Sequence, residues 1–341
     1  MLICRTPFRL SLFGGGTDFP SWYNDNNGMV ISTTINKYCY VVLRILPPFF
    51  EYKYRLRYFK NEMITDVKNV KHKSIKAVLQ KYNKNKYGLE IIHSADLPAM
   101  SGLGASSAFT VSLINLMHSI NEEKISKRML GFKSIEMEQK ILKENVGSQD
   151  QFACAFGGFN AINFAKENIE VEPMLINEKI KKLLMSNITL FFTGYPRKAN
   201  IIEKSKLKIM NEKHYIYNEI YNTAKEAQKL FYSKSESNVL RQIGKLMREN
   251  WKLKTSLSSL VTNKNIDEVY EYGLKNGAIA GKLTGAGGGG FMLFLSENEK
   301  DKKKLESKLQ KYKIVDVEYE ETGSQIIYHD RSDRYKFNIN Q

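Results

Sequence analysis

The chain has 341 residues, 42% of them hydrophobic, and a formal net charge of +16 at neutral pH. This length predicts about two globular domains, and no apolar stretch reaches the roughly 18–20 residues that a membrane-spanning helix needs. The N-terminal residues lack the pattern of a secretory signal and the three cysteines are scattered, so we expect a cytoplasmic protein with reduced thiols and no membrane partner.

The positive charge favours anionic partners such as nucleic acid or phosphorylated metabolites. Its lysines are spread along predicted helices, as in residues 179–185 and 300–313, which is typical of solvated helix faces. The sequence has no arginine–glycine tract, basic tail or aromatic ribonucleoprotein motif. We therefore expect no nucleic-acid partner, although a nucleic-acid-binding protein stays the alternative to a protein that acts on small molecules.

Strands and helices are mixed irregularly along the chain. In chain order, the patterns predict strands at 28–46, a turn and strand at 47–59, a helix at 71–83, a strand at 87–93, a glycine- and serine-rich loop at 101–107, helices at 108–120 and 126–143, strands at 157–164 and 187–196, a helical region at 198–260, a helix at 266–277, a glycine run leading into a strand at 285–295, a helix at 299–311, and strands at 313–319 and 324–329. This order favours an α+β fold over a doubly wound parallel sheet. A boundary near 165–190 gives predicted domains at 1–175 and 176–341.

Three glycine-rich segments are candidates for ligand binding, because backbone N–H groups can approach phosphate oxygens where no Cβ intervenes. The first runs from Gly14 to Asp18. It lacks the third glycine of a dinucleotide fingerprint, since Phe19 stands there, and it lacks the Lys-Ser/Thr of a P-loop. It is either a strand-to-loop turn or a sugar site in which the Asp18 carboxylate accepts hydrogen bonds from vicinal hydroxyls.

The second segment, from Pro98 to Ala108, follows a predicted strand and opens a long apolar helix. That order places its N–H groups at a helix N-terminus, which is a natural anion site. Ser106 and Ser107 fall in the first turn, where a hydroxyl can cap the helix or bind Mg²⁺. No lysine follows the last glycine, so a Walker P-loop is excluded.

The third segment, from Gly281 to Phe291, matches G-x-G-x-x-G at positions 285, 287 and 290. A predicted helix precedes it and a strand follows, which is the reverse of the dinucleotide-binding order, so a dinucleotide-dependent oxidoreductase is a weak alternative. Four consecutive glycines cost roughly 0.5–1 kcal/mol each in regular structure. Close approach of the backbone to a ligand is the simplest reason for such a run.

Three motifs occur in order between positions 5 and 291: R-x-P-x-R-x-S-x-x-G-G-G-T-D, P-x-x-x-G-L-G-x-S-S-A and K-x-T-G-A-G-G-G-G. Together they resemble the GHMP kinase superfamily, which includes galactokinase and the homoserine, mevalonate and phosphomevalonate kinases. The G-G-G-T-D start and the stretches at 146–152 and 157–159 are most similar to D-glycero-D-manno-heptose 7-phosphate kinases, although those enzymes usually have lysine where this chain has Ser148. An L-fucose kinase-like enzyme or another sugar-1-kinase is the main alternative.

The resemblance implies a GHMP kinase fold, with an N-terminal ribosomal-protein-like β/α domain, a C-terminal ferredoxin-like α+β domain and an active-site cleft between them. It implies ATP and Mg²⁺ as cofactors and a sugar phosphate as the other small-molecule partner, and we keep a homodimer as a prediction. The reaction would transfer the γ-phosphate of ATP to the C1 hydroxyl of the heptose 7-phosphate. The 1,7-bisphosphate would feed nucleotide-activated heptose synthesis for a surface polysaccharide, either capsule or lipopolysaccharide.

The resemblance also assigns residues to phosphoryl transfer, which needs a phosphate cradle, a metal ion and an oriented hydroxyl. The expected ATP cradle comprises Pro98, Ser101, Gly102, Leu103, Gly104, Ala105, Ser106 and Ser107. Ser107 and Glu138 are the expected Mg²⁺ ligands. Asp150 is the expected catalytic carboxylate, which accepts the proton of the acceptor hydroxyl, with Arg9 beside it to offset charge on the transferring group.

Further residues are expected to hold the acceptor and the adenine. By resemblance, the acceptor and phosphates are contacted by Gly16, Thr17, Asp18, Thr284, Gly285, Ala286 and Gly287. The 7-phosphate needs its own anion site, for which Arg197 and Lys198 are our candidates, because arginine can contact phosphate through two hydrogen bonds. We expect the adenine pocket in the region 50–80.

Overall fold

The strands of the molecule form two separate sheets. The computed structural model describes residues 1–166, 168–194, 199–232 and 238–330. Its strands are β1 (Leu2–Phe13), β2 (Gly28–Ile45), β3 (Tyr54–Arg57), β4 (Asn61–Ile64), β5 (Leu89–Ala95), β6 (Phe159–Ala165), β7 (Asn168–Pro173), β8 (Ile188–Phe192), β9 (Ala278–Leu283), β10 (Phe291–Ser296), β11 (Lys313–Val315), β12 (Tyr319–Glu320) and β13 (Gln325–His329). Its helices are α1 (Pro20–Tyr23), α2 (Lys73–Tyr82), α3 (Ala105–Ile120), α4 (Lys127–Ile135), α5 (Gln149–Phe156), α6 (Glu178–Ser186), α7 (Ala199–Lys208), α8 (His214–Phe231), α9 (Val239–Leu257), α10 (Lys264–Lys275) and α11 (Glu299–Lys308), with a 3₁₀ turn at Val67–Asn69 and a π-helical turn at Glu136–Ile141.

The larger sheet is built around the long strand β2. One edge of β2 pairs with β1 along most of its length, and the other edge pairs first with β6 and then with β5. The main path through the sheet is β13-β1-β2-β5-β3-β4, with β12 on β2 and β7 on β6. These pairs are antiparallel except for β3 with β5. β1 is almost entirely buried, and it fixes the position of the glycine turn that follows its last residue, Phe13.

The smaller sheet has the order β11-β8-β10-β9 and is antiparallel. Every residue of β10 is buried, which explains why this strand is a continuous apolar run without polar alternation. The glycine run of the third segment is the connection between β9 and β10, so it lies at one end of this sheet.

Helices join the two sheets. α3 is buried on nearly all sides, because it packs on β1 and β2 and also contacts α2, α4 and α5. α8 and α9 pack against each other, with α8 on β2 of the larger sheet and α9 on β9 of the smaller one. Within the described residues, every helix is too short or too polar to span a bilayer.

The α+β class is confirmed, and most predicted elements are present. The strand predicted at 187–196 ends at Phe192, and the helical region predicted at 198–260 is divided into α7, α8 and α9. Helix α5 was not predicted, because its central residues Phe152–Ala155 are all buried and give no amphipathic pattern. The closing strands β12 and β13 pair with β2 and β1, so the chain returns to the larger sheet at its end. The division between 1–175 and 176–341 stays a prediction.

Candidate active site

One cleft brings seven of the predicted site residues together. It is lined by residues of β1, α3 and α5, by the turn after β1, by α7 and α9, and by the connection between β9 and β10. The predicted residues in its lining are Arg9, Gly16, Asp18, Ser107, Asp150, Gly285 and Ala286. Residues far apart in the chain therefore meet in one space.

The N-terminus of α3 supplies an anion site beside this cleft. Gly102 and Gly104 have φ of 85° and 76°, a left-handed conformation that glycine adopts without strain, and the chain turns there into the helix. No side chain caps the terminus, and the first helix-closing bond runs from the Ala108 N–H to the Gly104 carbonyl oxygen at 2.8 Å. The N–H groups of residues 105–107 are therefore available to a phosphate.

The other expected cradle residues have two different environments. Pro98 and Ser106 are exposed, whereas Ser101 and Leu103 are buried. The carbonyl oxygens of the two buried residues accept the N–H groups of Phe291 (3.1 Å) and Arg9 (3.0 Å). Ser101 and Leu103 thus hold the loop in place through their backbone carbonyl groups.

Arg9 and Asp150 form an ion pair with two hydrogen bonds next to the α3 terminus. Arg9 Nε donates to Asp150 Oδ1 at 2.7 Å, Nη2 donates to Oδ2 at 2.8 Å, and Nη1 donates to the Gly102 carbonyl oxygen at 2.7 Å. A Cβ on Gly104 would lie 3.6 Å from Asp150 Oδ2. The carboxylate is 24% exposed and the guanidinium only 3%, so Asp150 can reach a ligand while Arg9 stays fixed. Asp150 also lies in the first turn of α5, where negative charge is favoured.

Glu138 is a buried carboxylate in the π-helical turn, an irregular geometry often found at functional sites. Its Oε2 accepts hydrogen bonds from Ser107 Oγ (2.9 Å) and Gln151 Nε2, and its Oε1 has no hydrogen-bond partner among the described residues. Burial raises the pKa of Glu138 to about 7, opposed by the bonds from Gln151, Thr110 and Ser107.

The environment of Glu138 fits a hard cation. A buried carboxylate oxygen without a donor is unfavourable, and a cation with an adjacent hydroxyl ligand would satisfy it. Within the described part of the chain, no group of three or more His, Cys, Asp or Glu side chains could hold a metal. An ion at Ser107 and Glu138 would thus complete its shell with phosphate oxygens and water, as Mg²⁺ commonly does.

Asp18 is held by its own turn and by the segment before α5. Its Oδ1 accepts the Gly16 N–H at 2.8 Å, and its Oδ2 accepts Gln149 Nε2 at 3.0 Å. A Cβ on Gly147 would lie 1.9 Å from Asp18 Oδ2, so glycine is required there. Burial raises the pKa of Asp18, the Gly16 N–H opposes this rise, and the charge of Asp150 adds to it. A negative charge on Asp150 therefore disfavours the ionised form of Asp18.

Thr17 occupies a different position from the one predicted for a sugar ligand. Its hydroxyl donates to the Gly14 carbonyl oxygen at 2.9 Å and accepts the Met29 N–H at 3.1 Å, and the side chain is fully buried. These bonds fasten the first glycine turn to β2. Donation from Thr17 to a sugar hydroxyl would require the bond to the Gly14 carbonyl oxygen to break, because a hydroxyl has one proton to donate.

The third glycine segment is used partly for packing. Gly285 and Ala286 line the cleft, but a Cβ on Gly287 would lie 2.6 Å from the Val261 carbonyl oxygen. Thr284 Oγ1 lies 3.2 Å from the Ser101 carbonyl oxygen, away from the lining. Besides approach to a ligand, which we expected as the simplest reason for the glycine run, positive φ at 285 and 287–290 and close contacts within the chain require it.

Several cleft residues were not predicted. Glu203 and Lys206 on α7 and Lys254 on α9 line the cleft. Nothing in the sequence distinguishes these lysines from the exposed lysines two positions away on each helix. Arg197 and Lys198, the predicted phosphate ligands, lie outside the described residues.

Lys282 and Ser148 are buried next to the site. Lys282 Nζ donates to the Leu12 carbonyl oxygen at 2.8 Å, which ties β9 to β1 across the two sheets. Burial lowers the pKa of Lys282 to about 7, and the charge of Arg9 contributes. Ser148, where the chain departs from the resembled motif, bonds Gln139 Nε2 at 3.0 Å, so the departure is accommodated in the interior.

Comparison with known protein families gives two matches in sequence. Residues 69–158 match the GHMP kinases N terminal domain, and residues 228–314 match GHMP kinases C terminal. The first match contains the α3 turn, Glu138 and Asp150, and the second contains Lys254 and the third glycine segment.

Three similar proteins illustrate the range of relatives. A D-glycero-alpha-D-manno-heptose 7-phosphate kinase from Campylobacter jejuni is 30% identical over 311 residues, which cover 87% of this chain and 89% of that protein. The bifunctional fucokinase/GDP-fucose pyrophosphorylase of Arabidopsis thaliana is 25% identical over 71% of this chain and 23% of its own length. The crystal structure of a D-glycero-D-manno-heptose 1-phosphate kinase from Bacteroides thetaiotaomicron has a TM-score of 0.78 at 21% identity, covering 96% of this chain and 100% of that one, and so has the same fold.

Proposed function

The chain belongs to the GHMP kinase family, and on that premise we propose that it transfers the γ-phosphate of ATP to the C1 hydroxyl of D-glycero-D-manno-heptose 7-phosphate. The product is the 1,7-bisphosphate, a precursor for nucleotide-activated heptose and surface polysaccharide in the cytoplasm. The observation that carries the kinase chemistry is the position of the Asp150 carboxylate against the α3 phosphate turn. Family membership favours a kinase over the oxidoreductase and nucleic-acid-binding alternatives.

We assign Asp150 to the acceptor hydroxyl. As the hydroxyl oxygen bonds to the γ-phosphorus, its proton passes to the Asp150 carboxylate and the bond to the leaving ADP oxygen breaks. Arg9 fixes both carboxylate oxygens through its two hydrogen bonds. Since Arg9 also bonds the Gly102 carbonyl oxygen, it keeps the carboxylate and the phosphate turn in one fixed arrangement.

The donor phosphates are assigned to the α3 terminus. The N–H groups of residues 105–107 bind phosphate oxygens there, with the helix dipole favouring negative charge. We assign Mg²⁺ to Ser107 and Glu138, where it would neutralise charge on the β- and γ-phosphates. The rings of Tyr58, His72 and Phe109 form a cluster with centroid separations of 4.8 and 5.2 Å along α3, and we assign the adenine to this cluster.

The choice of a heptose phosphate rests on the Campylobacter jejuni relative, which the chain matches along nearly its full length. Asp18 is the group we assign to the sugar hydroxyls, because its carboxylate lines the cleft close to Asp150. An L-fucose kinase or another sugar-1-kinase is the second candidate, supported by the fucokinase relative.

An ADP-release assay with a set of acceptors tests the proposal. Purified protein with MgATP is given heptose 7-phosphate, L-fucose, galactose or homoserine. We expect heptose 7-phosphate to give the highest kcat/KM and phosphorus NMR to show a new anomeric phosphate. A higher kcat/KM for L-fucose would replace the proposal with the second candidate, and a product phosphorylated elsewhere would refute the C1 assignment.

A further inference from the structure

Gln149 lines the cleft but has no part in the chemistry assigned so far. Its Nε2 donates to Asp18 Oδ2 at 3.0 Å, which fixes the direction in which the carboxamide points. Its Oε1 is buried and has no hydrogen-bond partner among the described residues, a state that is unfavourable until a ligand brings a donor. We propose that Gln149 Oε1 accepts a hydrogen bond from a hydroxyl of the acceptor sugar and so selects among sugars, an inference that rests on the proposed function.

The bonds already made by Asp18 explain why a second acceptor is needed. Asp18 is 1% exposed, its Oδ1 accepts the Gly16 N–H at 2.8 Å, and its Oδ2 accepts the backbone N–H of Gln149 at 3.3 Å as well as Nε2. A carboxylate has about four acceptor positions, so little capacity is left for several sugar hydroxyls. The carboxamide adds an acceptor without placing a third negative charge beside Asp18 and Asp150.

Gly15 keeps the space beside this carboxamide open. The glycines on either side of it are required by the chain, because Gly14 and Gly16 have φ of 82° and 115° and a Cβ on Gly14 would collide with the backbone of β2. The φ of Gly15 lies outside the left-handed range, and a Cβ there would meet Ser11 Oγ and Gln149 Nε2 at 3.5 and 3.6 Å, which is ordinary van der Waals contact. Neither backbone conformation nor packing thus requires glycine at 15, and because Gly15 lines the cleft we assign the space to the bound sugar.

The position of Gln149 connects sugar selection to the reacting hydroxyl. Gln149 and Asp150 are the first two residues of α5, and both line the cleft. A sugar whose reacting hydroxyl faces Asp150 therefore has its neighbouring hydroxyls on the side of Gln149 and Asp18. Because one helix carries both residues, a sugar that satisfies Gln149 is also oriented toward the base.

The first test removes the acceptor from the enzyme and the donor from the sugar. Gln149→Met keeps the length of the side chain and removes the carboxamide. With saturating MgATP, we measure kcat/KM of both enzymes for D-glycero-D-manno-heptose 7-phosphate and for its 2-, 3-, 4- and 6-deoxy analogues. We expect about a 10- to 100-fold loss for the parent sugar and a loss at least about fivefold smaller for the one analogue that lacks the bonded hydroxyl.

Gln139→Met is the matched control for local loosening of the chain. Gln139 lies outside the cleft lining, and its Nε2 bonds the Val146 carbonyl oxygen and Ser148 Oγ, both at 3.0 Å, in the segment that leads into α5. Its loss should therefore affect all five sugars alike. Equal losses on every sugar for Gln149→Met as well would show that Gln149 only supports the fold, and would overturn the inference.

Gly15→Ala tests the open space without removing a hydrogen bond, and it decides the matter if Gln149→Met does not fold. The methyl group fits its neighbours, so urea unfolding should give an unfolding free energy no lower than that of the wild type. We expect KM for the heptose 7-phosphate to rise at least about tenfold while KM for ATP changes less than about twofold. An unchanged KM for the sugar, or a rise in KM for ATP alone, would place the sugar elsewhere and overturn the inference.

Failure of the proposed function has a different signature. A wild-type enzyme with a higher kcat/KM for L-fucose than for the heptose 7-phosphate would refute the heptose proposal. The same comparison with L-fucose and its deoxy analogues then tests Gln149 separately, and equal losses on that series would refute the Gln149 contact as well.

Discussion

The two glycine-rich loops beside the cleft use glycine for different reasons. In the loop at 102–107, the left-handed turns at Gly102 and Gly104 lead into α3, whose first N–H groups are available to a ligand. In the loop at 285–290, left-handed turns return the chain into β10, and a Cβ on Gly287 would collide with the backbone of Val261. Close contacts within the chain require glycine in both loops, and the loop at 102–107 in addition leads into a helix whose N–H groups can receive a ligand.

The two loops also support each other. A Cβ on Gly102 would lie 2.5 Å from the Thr284 carbonyl oxygen, and a Cβ on Gly290 would lie 2.5 Å from the Ser101 carbonyl oxygen. We therefore expect substitutions at positions that face the cleft to alter catalysis, and substitutions at positions that face the interior to alter stability.

The largest effect is expected from Asp150, whose carboxylate lies next to the loop at 102–107. Asp150→Asn keeps the shape of the side chain but removes the proton acceptor, so kcat should fall by about 10²- to 10⁴-fold. Binding of ATP, measured by calorimetry, should be nearly unchanged because the α3 N–H groups remain. A kcat close to that of the wild type would exclude Asp150 as the base.

A second test concerns the proposed cation site at Ser107 and Glu138. Glu138→Gln should raise the Mg²⁺ concentration for half-maximal activity by at least about tenfold, because a ligand charge is lost. Glu136→Gln is the matched control, since Glu136 lies in the same turn and is 43% exposed in an ion pair with Lys81. Identical Mg²⁺ titrations for the two variants would remove Glu138 from the metal site.

Replacing one glycine with alanine in each loop tests the contrast between the loops. In Gly104→Ala the methyl would contact Arg9 and Asp150, so kcat/KM should fall at least tenfold while stability falls by about 1–2 kcal/mol from the strained φ. Gly287→Ala adds a backbone collision to that strain, so unfolding free energy should fall by roughly 2–5 kcal/mol with a similar kcat for folded enzyme. Urea unfolding and steady-state kinetics measure both, and a reversed order would contradict the assignment.

The last prediction is a pH dependence caused by Lys282, just before the loop at 285–290. Its pKa is about 7 in the folded protein, below the usual value of 10.5, so the unfolded chain binds a proton that the folded protein lacks between these two pH values. Unfolding free energy should therefore gain a contribution that rises with pH above about 7, at most about 1.4 kcal/mol per pH unit.

Lys282→Met should remove this rise, whereas Lys275→Met, at an exposed position before β9, should keep it. Urea unfolding between about pH 8.5 and 10 measures the slope above the range in which Glu138 titrates. If the unfolding free energy changes with pH in the same way in the wild type and Lys282→Met, Lys282 is protonated in the folded protein.

The sequence determined the local parts of this protein. The order of strand, glycine turn and apolar helix predicted the phosphate turn before α3, and three ordered motifs predicted the family, the α+β class and the meeting of Arg9 with Asp150. The turn depends on backbone conformation and on residues close in sequence, for which residue type is informative, whereas the meeting of Arg9 with Asp150 was expected only from the resemblance.

Only the tertiary structure decided which side chains meet across the cleft. Lys206 and Lys204 are two residues apart on one helix, yet one is buried at the cleft and the other is exposed. Likewise, the Thr17 side chain bonds to β2, whereas the side chain of the adjacent Asp18 lines the cleft. Burial and orientation depend on how α7, α9 and the two sheets pack together, and such packing leaves no pattern in any one segment alone.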